Sequence, residues 1–310
     1  TLFPYTTLFR SSYLDGGNSS QARTIVDNYN KACIFGMPAA GYKFSDIRIE
    51  DCYIHSNGKK GDGIYFGDNH NGGHAGQGDI PYNNETGDEF VHDILIRNCI
   101  IEDVADGIKN SHISVMIDGC TIRRCKNECI TLDWACRRCS VTNNIIGPHY
   151  GGCGSIAIDG SREVLIANNI IDELNYMFTQ SARTATRTGI TFNGHTDEAK
   201  DYTVIGNVIR GCVGPCISIG ANGDTEQARP LINGSIANNI LAQAPDYTSC
   251  PSIYVWQFSG NGDISVYGNT FVNSTSKIGY SSVNSASVNC LKRYLGEALI
   301  TPQAYECPTD

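Results

Sequence analysis

The sequence predicts an all-β fold, a right-handed parallel β-helix, with about ten three-strand coils wound into one solenoid and interrupted by loop insertions. Three observations predict it. One short apolar pattern recurs along the chain, the closest copies are one coil apart, and turn-forming residues are spread from end to end.

The pattern is an apolar residue, any residue, an apolar residue, two more residues, then Asn or Cys, any residue and a final apolar residue. It reads Ile47-Ile49-Cys52-Ile54, then Ile94-Ile96-Cys99-Ile101 and Val115-Ile117-Cys120-Ile122. Later copies include Val164-Ile166-Asn169-Ile171, Tyr202-Val204-Asn207-Ile209 and Ile264-Val266-Asn269-Phe271. Alternation at period two is a strand signal. The Asn or Cys marker is therefore expected at a bend, facing inward. Markers at 52, 99, 120, 144, 169, 207, 239 and 269 are 47, 21, 24, 25, 38, 32 and 30 residues apart. The intervals of 21 to 25 match one coil, and the longer ones are the same coil carrying an insertion. A leucine-rich repeat would need regular leucines, and a TPR or ankyrin array would need helical periodicity. Neither is present.

A second short strand follows each pattern: Ile64-Tyr65-Phe66, Ile108-Lys109-Asn110, Ile130-Thr131-Leu132, Ile156-Ala157-Ile158, Ile190-Thr191-Phe192, Ile217-Ser218-Ile219 and Ile253-Tyr254-Val255. An earlier coil is split around Leu14 and Ile34. Isoleucines and asparagines of successive coils are expected to form ladders inside the bore, with Asn amides bonding from coil to coil. The 33 glycines and the repeated Asn-Asn, Asp-Gly and Asn-Gly pairs supply the turns. Residues 1–11, TLFPYTTLFRS, read as a translated sequencing adapter. The β-helix is expected over 12–290, and 291–310 as a C-terminal cap or tail. Residues 291–299 are expected to form a short helix over the open edge of the last coil.

This repeat resembles the pectin-lyase-like superfamily and the β-helices of phage tailspikes, over residues 12 to 275. The resemblance implies the fold and a polysaccharide as the class of partner; a fold does not fix a reaction. The polygalacturonase set Asn-Thr-Asp-Gly, Asp-Asp, His-Gly and Arg-Ile-Lys is missing; a uronan epimerase stays open as a further activity, without an Asp-Pro-His-type motif to support it.

The formal charge of −9 gives no basic excess for phosphates, so a nucleic-acid partner is not expected. An acidic glycan would need a local basic patch. No apolar run reaches the ~18 residues a membrane helix needs. Coiled-coil heptads are absent, which leaves monomer and homotrimer open. An extracellular or virion-associated location is expected.

Fourteen cysteines invite a disulfide or zinc reading. Cys136 and Cys139 form a C-x-x-C, while Cys125/Cys129 and Cys212/Cys216 are four apart. Cys52, Cys99 and Cys120 instead fall on the inward marker column, where a free thiol packs as a small hydrophobe. No second close Cys or His pair completes a zinc set. Stacked reduced thiols are the expected state, which suits an intracellular or phage-assembled protein.

Candidate chemistry sits just after the second strands, in the column Gly67, Asp133, Asp159, Asn193, Gly220 and Trp256. Coils are about 4.8 Å apart, so Asp133 and Asp159 are expected side by side, with Asn193 and His195 one coil on. Close carboxylates split their pKa values, as an acid and base pair requires, and two carboxyls about 5–10 Å apart can hydrolyse a glycosidic bond. The competing reading is that an Asp before a turn caps backbone amides. A second acidic column, Asp62, Asp106 and Glu128, precedes the second strands. It reads as turn-capping, with calcium as the one candidate cofactor because stacked carboxylates attract a hard cation. Two insertions look like cleft walls. Residues 67–92 carry Asp68, His70, His74, Asp79, Glu85 and Asp88, and 174–188 carry Tyr176, Arg183 and Arg187. Arg162, Arg183, Arg187, Tyr176 and His195 are the residue types with which a lyase neutralises a uronate and moves its proton. Trp134 and Trp256 lie at strand ends, where outward rings would stack on sugars and the competing reading is that each caps a coil edge. The expected function is a polysaccharide lyase or glycoside hydrolase, including a tailspike-type depolymerase. The alternative is a non-catalytic glycan-binding or structural module.

Overall fold

In a computed structural model the chain forms a parallel β-helix. The structure describes residues 7–10, 13–15, 32–36, 45–55, 61–66, 92–110, 113–132, 136–151, 154–159, 161–174, 188–193, 199–219, 231–244, 250–255, 264–274, 276–280 and 293–294. Among these, three parallel sheets run along the axis. Sheet A has ten strands, from Thr7–Arg10 to Arg293–Tyr294. Sheet B has nine, from Tyr13–Asp15 to Thr270–Val272, and sheet C nine, from Ile34–Gly36 to Ile278–Tyr280. Each coil adds one strand to each sheet in turn.

The period-two pattern sets the register. Ile96, Ile117, Val141, Ile166, Val204 and Ile236 are partners in successive coils of sheet A, and all are buried. The last apolar residue of each pattern belongs to sheet B, where Ile101, Ile122, Ile146, Ile171 and Ile209 stack. Ile108, Ile130, Ile156, Ile190 and Ile217 do the same in sheet C. The split early coil is also in place, with Leu14 beside Ile54 and Ile34 beside Ile64. Each buried isoleucine is worth about 1.5–3 kcal/mol, and the three rows together form the core.

The repeated pattern therefore spans two strands and the bend between them. The residue before each marker takes a left-handed conformation: Asp51, Asn98, Asn143, Asn168 and Asn238 have φ of 53–57°. Asn and Asp tolerate this region best among residues with a side chain. The markers then face inward. Asn144 Nδ2 donates to Asn169 Oδ1 at 2.9 Å, and the same contact recurs from Asn169 to Asn207, Asn207 to Asn239 and Asn239 to Asn269. Each acceptor oxygen also takes the backbone amide of the preceding marker, and each Nδ2 donates to a strand carbonyl, such as Ile117 O or Val141 O. A buried amide so fully bonded costs little. Toward the N-terminus the column changes to Cys52, Cys99 and Cys120, whose thiols donate to carbonyls two residues back. The eleven described cysteines are all free. Contact with Cys120, together with burial, pushes the Cys99 thiol above its ordinary value.

At the chain ends, Thr7–Arg10 pairs with Ser45–Glu50 as an edge strand of sheet A. Of the short helix expected over 291–299, only 293–294 lie among the described residues, and there the expectation is corrected: Arg293–Tyr294 pairs with Ile264–Tyr267 as a strand of sheet A. An open strand edge offers unpaired backbone groups that a following segment satisfies by adding a strand.

Candidate functional site

The two acidic columns separate clearly. Asp106 N donates to Asp62 Oδ1 at 3.2 Å, and Glu128 N to Asp106 Oδ1 at 3.3 Å. These carboxylates cap the turns that enter sheet C, as the Asp-Gly context indicated. Among the described residues no group of three His, Cys, Asp or Glu is arranged to hold a metal ion.

The column after sheet C is different. The strands Gly154–Asp159 and Thr188–Asn193 are paired so that Asp159 and Asn193 are register partners at their ends. Three residues past Asp159 the chain enters sheet A, and there Arg137, Arg162 and Lys200 are register partners across three consecutive coils. Register thus stacks three basic residues in sheet A, which the chain enters at Arg162, three residues after Asp159. The residues are 25 and 38 apart in sequence, so only the coil register unites them. Like charges directly opposite each other destabilise a sheet, and an anion repeating along the same axis relieves that repulsion. Asp133, Trp134, Tyr176, Arg183, Arg187, His195 and Trp256 lie outside the described residues, as does residues 67–91 of the first insertion.

The outer face of sheet C adjoins this corner. Its central row runs Tyr65, Lys109, Thr131, Ala157, Thr191, Ser218 and Tyr254 in register. Tyr65, Thr131, Ala157, Thr191 and Ser218 are buried, whereas Met116 and Leu165 on the outside of sheet A are exposed. Sheet C therefore presents a shielded row of small and hydroxyl-bearing side chains. The row was missed in the sequence because its members share a position, not a residue type.

Two further polar clusters are structural. On sheet B, Tyr53 donates to Glu102 Oε1 at 2.6 Å and Arg123 Nε to Glu102 Oε2 at 2.7 Å. Arg124 forks onto Asp103 and reaches Glu102 at 2.9 Å. Burial raises the Glu102 carboxyl, but the Tyr53 hydroxyl and the two guanidiniums outweigh it and hold the group below its ordinary value. Inside the bore, His149 Nδ1 lies 2.9 Å from Glu173 Oε1, and Ser155 Oγ donates to the same oxygen. Gly147, at φ 97°, makes room: a Cβ there would meet Asp172 O at 2.7 Å and Glu173 Oε1 at 2.8 Å. The trio contains the residue types of a hydrolytic triad, but its connectivity is wrong. Serine and carboxylate share one ring nitrogen, Nε2 has no hydrogen-bond partner, and all three side chains are fully enclosed.

The fold defines a class: a parallel β-helix protein. Among solved structures the chain is similar to the A-modules of two Azotobacter vinelandii mannuronan C-5 epimerases. For AlgE4 the identity is 14% and the TM-score 0.49, covering 85% of this chain and 72% of that one. For AlgE6 the values are 13%, 0.48, 84% and 70%. It is also similar to the Dettilon tailspike protein, at 12% identity and TM-score 0.43, covering 82% of this chain and 54% of that one. These are likenesses of fold. No protein-family model and no curated protein matches the chain.

Proposed function

We propose that the chain binds an acidic polysaccharide along the corner between sheets C and A and cleaves it, as a lyase or a glycoside hydrolase. The observation that carries this reading is the in-register column Arg137–Arg162–Lys200, which the chain reaches at Arg162 three residues after Asp159, the register partner of Asn193. A net-acidic chain that nonetheless stacks three cations on successive coils has a local match for a repeating anion.

In the lyase form of the reading, Arg162, Arg183 and Arg187 neutralise the uronate carboxylate, and Tyr176 or His195 moves the proton beside it. In the hydrolase form, Asp133 and Asp159 act as the acid and base pair, with Asn193, Trp134 and Trp256 holding the sugar. Incubation with a panel of acidic and neutral polysaccharides tests the proposal. A lyase yields unsaturated sugar ends that absorb in the ultraviolet; a hydrolase yields reducing ends without that absorbance. Asp133→Asn with Asp159→Asn abolishes the hydrolase product, and Arg162→Ala weakens binding of acidic glycans only. Absence of any product together with equal affinity for neutral and acidic glycans would defeat it.

A non-catalytic glycan-binding module is the second reading. It is favoured by the fact that Glu50, Asp62, Glu102, Asp103, Asp106, Asp172 and Glu173 are all engaged with backbone amides, arginines or His149. It predicts binding without product, unchanged in the double Asp→Asn variant.

A further inference from the structure

We propose that Ser155 and Glu173 condense to an ester inside the bore, so that a covalent staple joins two consecutive coils. The proposal is independent of the glycan reading, because its side chains are all enclosed: Ser155, His149 and Glu173 are 0%, 0% and 1% exposed.

Coil register assembles the three groups. His149 follows the sheet B strand Ile145–Ile146, and Glu173 follows Ile170–Asp172 one coil on. Ser155 is the second residue of Gly154–Asp159 in sheet C. Its Oγ donates to Glu173 Oε1 and lies 3.3 Å from His149 Nδ1. Nδ1 lies 2.9 Å from the same Oε1, and the backbone amide of His149 donates to Oε2 at 3.3 Å. In a hydrolytic triad the carboxylate stands behind the ring, on its other nitrogen. Here one nitrogen reaches both the hydroxyl and the carboxylate. That is wrong for hydrolysis but right where the carboxyl is itself the acyl group, because one carrier must move the proton of the nucleophile to the leaving oxygen. Gly147 is part of the arrangement. A Cβ there would meet Glu173 Oε1 at 2.8 Å, so a larger residue would displace the leaving oxygen.

The step balances without a co-reactant. With the ring cationic and Glu173 ionised, Nδ1–H first protonates Oε1. The bare Nδ1 then takes the Ser155 hydroxyl proton as Oγ bonds to Cδ, and the His149 amide holds the charge that develops on Oε2. Nδ1 passes this second proton to Oε1, the Cδ–Oε1 bond breaks, and one water leaves. The ring ends neutral. Groups held in contact react at effective concentrations of about 10⁵–10⁸ M, far above that of water itself. Condensation also removes a buried ion pair, whose desolvation is costly. The ester joins residues 18 apart in sequence. It pins Glu173 just ahead of Leu174, where the 174–188 insertion departs.

Mass spectrometry of the full chain tests this without any variant having to fold. After folding and incubation at neutral pH, the reduced and denatured chain is expected to weigh one water less than its sequence. Cyclisation at an Asp-Gly pair loses water too, so tryptic mapping locates the bond. Peptides 139–162 and 163–183 should travel as one, and the second has no cysteine through which a disulfide could join them. Alkaline hydroxylamine, which cuts esters and spares amides, should separate the two. Ser155→Ala is expected to restore the full sequence mass, and His149→Phe to slow closure by about 100-fold through loss of the proton carrier. Full sequence mass in the folded parent chain, a bond that maps elsewhere, a joined pair that persists in Ser155→Ala, or closure in His149→Phe at the parent rate would each overturn the proposal.

Discussion

Asn207 Oδ1 accepts two hydrogen bonds from Asn169, one from Nδ2 and one from the backbone amide, both at 2.9 Å. The oxygen of one marker thus closes the bend of the coil before it, and the ladder joins each turn to the next.

Replacing Asn207 by Leu removes the acceptor of the Asn169 backbone amide, one of the two acceptors of Asn169 Nδ2, and the side-chain donor to the Ile166 carbonyl, all in a buried place. The expected loss is about 3–5 kcal/mol, since each buried unsatisfied group costs 1–3 kcal/mol. Asn144→Cys should cost less, because it extends the existing thiol column of Cys99 and Cys120. Urea unfolding of the two variants checks the ranking; equal midpoints would show that the ladder is not cooperative.

Tyr202 and Gly234 are register partners in sheet A, and a Cβ built on Gly234 would overlap the phenol ring. The ring is buried against Phe192, with centroids 4.5 Å apart. Gly234→Ala should therefore destabilise by about 2–3 kcal/mol through overpacking. Tyr202→Val, which copies the neighbouring Val164, should relieve it, so the double variant is expected to be more stable than the two single losses added together. A double-mutant cycle by thermal or urea unfolding measures the coupling.

Acid stability should depend on Glu102. Its folded carboxyl lies below its ordinary value because Tyr53, Arg123 and Arg124 favour the charged form. The stabilisation is complete above the unfolded value of about 4.3. It is lost as the pH falls through the lower folded value. Glu102→Gln should lower stability at neutral pH by about 1–2 kcal/mol and flatten the acid limb of the stability profile. A parallel downward shift at every pH would exclude this role.

The interior thiols should be inert until the chain unfolds. Burial raises Cys125, and contact with Cys216 together with burial raises Cys212, both well above the ordinary range. The thiolate is the reactive form. Iodoacetamide is expected to leave Cys125, Cys129, Cys212 and Cys216 unlabelled in buffer and to modify them in denaturant, as read by peptide mass. Labelling of these four at the rate of a free peptide thiol under native conditions would contradict the packing.

The fold was legible because it is written locally. Ile117, Ile166 and Val204 share an interior row because a two-residue strand period leaves them one choice of face, and Asn144 to Asn269 share a bend because each follows a residue suited to positive φ. Asp62 and Asp106 also did what Asp before Gly commonly does. The candidate site was legible only in part. The pairing of Asp159 with Asn193 follows from coil register, but the stacking of Arg137, Arg162 and Lys200 depends on how the chain turns from sheet C into sheet A.

The sequence by itself determined the repeat, the inward rows and the marker ladder, because strand alternation and turn chemistry act over a few residues. Tertiary structure alone decided what lies beside what across coils of unequal length: Tyr202 over Gly234, His149 on Glu173, and Tyr53 with Arg123 on Glu102. Insertions change the sequence interval between coils without changing their rise, so spacing along the chain does not report distance along the axis.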